Sequence, residues 1–140
     1  MPRWICALAL TFLLPAAASA DWSLETDEAD PIALGPGPFG LSMRVSCEDE
    51  APAFNLAGVL VQGAPGPRAF TVSVDGTDFG PFEADCDGET CALDASREAT
   101  DLTDALRAGL RAVVSEDEVL QTISLRGSDD ALSELACTEG

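Results

Sequence analysis

The first twenty residues constrain this chain more than any other feature. Met1-Pro2-Arg3 leads into an apolar run from Trp4 to Leu14, followed by Pro15 and then Ala16-Ala17-Ala18-Ser19-Ala20. A basic start, an apolar stretch too short to cross a bilayer and an Ala-x-Ala end together read as a secretory signal peptide, with cleavage expected between Ala20 and Asp21. Such a leader takes no part in the fold. The 120 residues from Asp21 to Gly140 then fold in the periplasm or outside the cell, where thiols oxidise. An uncleaved leader acting as an anchor is the rival reading. No cysteine sits directly after the cut, so no lipid anchor is expected. No later apolar run approaches the roughly 20 residues of a membrane helix, so no stable membrane insertion is expected after cleavage.

An oxidising compartment gives the cysteines their meaning. Cys6 lies in the leader, which leaves Cys47, Cys86, Cys91 and Cys137. Four cysteines in an exported chain read as two disulfides, with three connectivities open. Zinc sites usually present two close cysteine pairs, whereas only Cys86 and Cys91 are near neighbours here. Their spacing is not Cys-x-x-Cys, so a thioredoxin-like redox role has no support. Asp87-Gly88-Glu89-Thr90 reads as a four-residue loop, because Gly88 accepts the positive φ that a tight turn demands. A hairpin around that loop sets Cys86 against Cys91, and Cys47–Cys137 follows by elimination.

Charge removes whole classes of function. All 25 acidic residues lie beyond the leader, against six remaining arginines, for a net charge of −19. Such a surface repels phosphate backbones and anionic lipid, so no nucleic-acid partner is expected; a basic protein partner fits the charge, and so does a merely solubilising surface. The chain has no histidine, lysine or tyrosine. Ser-His-Asp, Cys-His, Ser-Lys and Schiff-base chemistry are therefore out of reach. Paired carboxylates remain the sole catalytic option.

Hydrophobic period sets the fold class. Residues 21–40 carry Gly35-Pro36-Gly37-Pro38 and read as an extended entry segment, with Trp22 packing back on the core. Residues 41–140 read as one domain. Leu41, Met43, Val45 and Cys47 alternate with polar residues in a half-buried strand, Phe54–Gln62 is a more apolar strand, and Phe70, Val72 and Val74 alternate in a third. Asp75-Gly76, Gly80-Pro81 and the Cys86–Cys91 hairpin punctuate the stretch that follows. The period then changes: Leu102, Leu106, Leu110 and Val113 mark a helix capped by Thr100 or Asp101, with Gly109 marking close packing or its end. After an acidic turn at Ser115–Glu118, Val119–Arg126 alternates as a strand, and Ser128 opens a short helix with Ala131, Leu132 and Leu135 facing inward. The expectation is an α+β fold with two disulfides: a mostly antiparallel β-sheet, or a small sandwich, with one longer and one short C-terminal helix.

Four acidic motifs need weighing. Counted from Asp85 as an EF-hand loop, Gly88 falls at position 4, Thr90 at 6 and Ser96 at 12, so the calcium register fails and a turn explains the residues. Asp75-Gly76-Thr77-Asp78 reads the same way. Glu48-Asp49-Glu50 and Glu116-Asp117-Glu118 read as solvated turns, since an acid/base pair needs burial to separate its pKa values. No catalytic residue, metal site or cofactor is assigned.

The segments Asp104-Ala105-Leu106-Arg107-Ala108-Gly109, Ile123-Ser124-Leu125-Arg126-Gly127 and Ala131-Leu132 resemble the C-terminal part of the invasion-associated locus B family of exported alphaproteobacterial proteins. That family ends a strand in Ser-Leu-Lys-Gly-Phe before a short Ala-Leu helix; here Arg126 replaces the lysine and Ser128 the phenylalanine. The resemblance is confined to the C-terminal third and transfers no catalytic residue. It implies a periplasmic or surface accessory protein. The leading expectation is thus an exported accessory or binding protein without catalytic activity, with a carboxylate-based hydrolase and a weak divalent-cation binder as alternatives.

Overall fold

The computed structural model describes residues 21–26, 30–37 and 40–138. The expected leader lies outside the described residues. Among them, nine antiparallel strands form one sheet: β1 (Ser23–Glu25), β2 (Ile32–Pro36), β3 (Ser42–Glu48), β4 (Ala51–Ala57), β5 (Gly66–Val74), β6 (Thr77–Cys86), β7 (Thr90–Leu93), β8 (Arg111–Glu116) and β9 (Val119–Ser124). Their order across the sheet is β1-β2-β3-β4-β7-β6-β5-β8-β9. Helix α1 (Ala99–Ala108) links β7 to β8, and the shorter α2 (Ser128–Ser133) follows β9. This is the expected α+β class: a mostly antiparallel sheet, a longer and a short helix, and two disulfides.

One face of every long strand is buried, as alternation requires. Met43 and Val45, Phe54 and Leu56, Phe70 and Val72, and Val114 and Ile123 point into one core, joined by Leu102 and Leu106 of α1 and Leu132 of α2. The sheet curls until β2 reaches β9. Trp22 closes that seam. Its backbone N–H donates to the Arg126 carbonyl at 2.8 Å and its indole Nε1–H to the Ser124 carbonyl at 2.8 Å. The ring packs against Gly35, where an added Cβ would come within 2.3 Å of it. The entry segment therefore contributes β1 and β2 to the sheet and locks its two ends together.

Several boundaries differ from the sequence reading. The strand expected at Phe54–Gln62 runs instead over Ala51–Ala57 and stops at Gly58, whose φ of 119° and close approach to Gly40 leave no room for a side chain; a single 3₁₀ turn, Val59–Val61, follows. Helix α1 starts after Glu98, not after Thr100 or Asp101, and ends at Gly109. A Cβ there would meet Val74 Cγ1 at 2.5 Å, so Gly109 marks both the helix end and a close contact. Leu110 and Val113 consequently leave the helix. Leu110 is 82% exposed, and Val113 belongs to β8, a strand the helical spacing concealed. The Asp75 carboxylate secures this corner by accepting from the Leu110 and Arg111 backbone N–H groups at 3.0 and 3.1 Å.

Candidate ligand-binding face

The turns at the centre of the sheet fix its geometry. Asp75 (φ 48°) and Gly76 (φ 89°) form the two-residue β5–β6 turn, a left-handed pair that matches strand twist. Between β6 and β7, the Asp87 carboxylate accepts from the Glu89 and Thr90 N–H groups, each at 2.8 Å. These bonds hold the Asp87 carboxyl below the usual aspartate range, the Thr90 N–H contributing most. The Asp87 N–H donates to the Thr90 carbonyl, so the connection is tighter than the loop expected at Asp87–Thr90. Cys86 and Cys91 then lie directly opposite one another.

Both disulfides form, Cys86–Cys91 as its spacing anticipated and Cys47–Cys137 as elimination left it. Cys86 and Cys91 sit 4.1 Å apart at Cα, the short separation of a directly opposed antiparallel pair and below the usual disulfide interval. Cys47, near the end of β3, joins Cys137 in the C-terminal 3₁₀ turn with Cα atoms 5.7 Å apart. All four thiols are thereby consumed.

The core-facing side of β5 carries an ion pair that sequence reasoning missed. Arg68 lies two residues before buried Phe70, and its guanidinium sits 5.1 Å from the Phe70 ring centroid. It donates from Nε and Nη2 to the two Glu116 carboxylate oxygens at 2.6 and 2.5 Å, and from Nη1 and Nη2 to the Val61 and Leu60 carbonyls at 3.0 and 3.1 Å. Hydrogen bonding to Arg68 holds the Glu116 carboxyl below its ordinary range against the opposing effect of burial, and the same bond raises Arg68. Glu116 is therefore not one of a run of solvated acids. Forty-eight residues separate the partners, so no local pattern marks them. By contrast, Asp49, Glu50 and Asp117 occupy the left-handed positions of exposed turns, as turn chemistry demands.

The outer side of the same strands is a candidate site. Register places Pro67 beside Asp85, Ala69 beside Glu83, and Asp85 beside Ala92. Asp94 follows directly, its N–H donating to the Glu83 carbonyl at 2.8 Å. These residues line a groove of about 670 Å³. Its lining arginine, Arg68, turns its guanidinium to the opposite face, which leaves the carboxylates of Glu83, Asp85 and Asp94 without that cation. A smaller hollow of about 140 Å³ adjoins it at Asp94, where Ser96 donates its hydroxyl to the Asp94 carboxylate at 2.9 Å.

This arrangement suits binding better than acid/base chemistry. Glu83, Asp85 and Asp94 are all exposed, without the apolar enclosure that lets a carboxyl serve as a general acid near neutral pH. Among the described residues, no three Asp, Glu or Cys side chains converge as metal ligands. The described helices include none long and apolar enough to cross a membrane. No family model, curated protein or solved structure matches the chain.

Proposed function

We propose that this chain is an exported accessory protein, periplasmic or secreted, that binds a basic segment of a partner protein on the outer face of β5, β6 and β7 and performs no catalysis of its own. The groove carries this reading: small side chains at Pro67, Ala69 and Ala92 beside three exposed carboxylates. The net charge of −19 after leader removal would draw a cationic partner toward it. Export is supported by the leader sequence and agrees with two disulfides. The resemblance of the C-terminal third to the invasion-associated locus B family supports the same accessory role.

The test is calorimetric titration of the purified, disulfide-bonded protein with a hexa-arginine peptide at low ionic strength. Two charge-matched variants are compared, E83Q/D85N/D94N in the groove and E48Q/D49N/E50Q in the β3–β4 turn. The reading expects loss of binding in the groove variant alone. Equal losses in both would mean diffuse electrostatic attraction and would overturn it.

A further inference from the structure

The expected leader cut, between Ala20 and Asp21, lies beside the seam that Trp22 closes, with Asp21 alone between them. Resting on the export reading above, we infer that the seam governs processing: the bond is open to a peptidase only while Trp22 is out of its seat, so leader removal precedes closure of the sheet. An extended peptide is held by its binding protein through main-chain groups. On the mature side of the cut those groups are already taken. The Trp22 N–H donates to the Arg126 carbonyl at 2.8 Å, Ser23 pairs with Leu34, and the Asp21 carboxylate lies 3.4 Å from Arg126 Nε. Room is lacking as well. A Cβ on Gly127 would stand 3.4 Å from the Trp22 nitrogen and 3.8 Å from Asp21 Cβ, so this backbone rests on the turn that opens α2. An added strand needs roughly 4.7–4.9 Å of its own, and none is left between Asp21 and Gly127.

The seat holds Trp22 firmly enough to matter. The side chain is 6% exposed, its indole N–H donates to the Ser124 carbonyl, and its ring fills the space over Gly35. Withdrawing it breaks two hydrogen bonds, each about fivefold in the open population, and exposes a buried indole, at least about tenfold more. Opening of this kind is local, because β1 stands at the end of the sheet order and pairs in register with β2. The closed seam therefore lowers the exposure of the cut on the order of a hundredfold without a change in the rest of the sheet. A chain that closes the seam uncut keeps its leader and stays tethered. A chain cut first closes the seam and is released.

Cleavage of the full 140-residue chain by a purified bacterial signal peptidase in detergent tests this. The substrates are the folded, disulfide-bonded chain, the same chain reduced and alkylated, and folded Trp22→Ala, Trp22→Phe and Phe70→Leu. The last lowers stability from a core position in β5, outside the seam. Circular dichroism and melting temperature confirm which variants fold. The folded chain should be cut on the order of a hundredfold more slowly than the alkylated one. Trp22→Phe, which keeps a ring but loses the indole N–H, should be cut about fivefold faster than the folded chain, and Trp22→Ala faster still. Phe70→Leu should match the folded chain. Equal rates for the folded and alkylated chains, or Phe70→Leu accelerated as much as the Trp22 variants, overturn the inference and leave the export reading standing. An alkylated chain that is not cut after Ala20 overturns the export reading, and the inference with it.

Discussion

Removing the two disulfides separately should destabilise the fold unequally. On the chain-entropy account a cross-link stabilises by restricting the unfolded chain, and its effect grows with the logarithm of the closed loop. Cys47–Cys137 closes a separation of 90 residues and Cys86–Cys91 one of 5. The corresponding stabilisations are about 4.6 and about 2.0 kcal/mol. Packing works against the difference. Cys86 and Cys91 are buried in the core whereas Cys47 and Cys137 are only partly covered, so alanine at the hairpin loses more contact and narrows the gap to about 1–2 kcal/mol. Urea unfolding of C47A/C137A and C86A/C91A measures both losses. The first variant should also show the steeper denaturant dependence, because its unfolded chain is released from a constraint over most of its length. Equal losses, or a larger loss at the hairpin, would refute the loop-entropy reasoning.

Three further outcomes follow from named contacts. Glu116 has its carboxyl depressed below the ordinary value of 4.5, so the Arg68 pair stabilises fully above that value and is lost as pH falls through the depressed range; E116Q should flatten the fall in melting temperature below about pH 4.5, and an unchanged profile would argue against the pair. Gly109→Ala should cost about 1–3 kcal/mol in thermal unfolding, because its methyl would crowd Val74 and Leu125; a neutral or stabilising result would show that Gly109 is not a packing position. Intact mass of the exported protein should begin at Asp21, and a mass retaining Met1–Ala20 would contradict the compartment argument.

The parts legible in the sequence were those written in local period or proximity. Alternation along Leu41–Cys47 and Val119–Arg126 gave β3 and β9, and five residues of separation set Cys86 against Cys91. Strand β8 was hidden because Leu110 and Val113 happen to continue the three-to-four spacing of Leu102 and Leu106. The helix ends where Gly109 turns to extended backbone and the Asp75 carboxylate, about thirty-five positions away, takes the next two backbone N–H groups, and no local window contains that contact. The candidate site was illegible for the same reason. Ala69, Glu83 and Ala92 carry no local signal of a site, and only the pairing of β5 with β6 and β6 with β7 assembles them. The Arg68–Glu116 pair likewise exists only once β5 lies against β8.

The central claim, that a cationic segment is held on the outer face of the β5–β7 unit, is tested most directly by mapping backbone amide shifts of isotope-labelled protein during titration with the hexa-arginine peptide. The account expects saturable shifts concentrated at Arg68–Ala69, Glu83–Asp85 and Ala92–Asp94, the stretches that line the groove. Shifts spread evenly over the acidic turns at Asp49–Glu50 and Asp117–Glu118, or no saturable shift on the β5–β7 face, would contradict it.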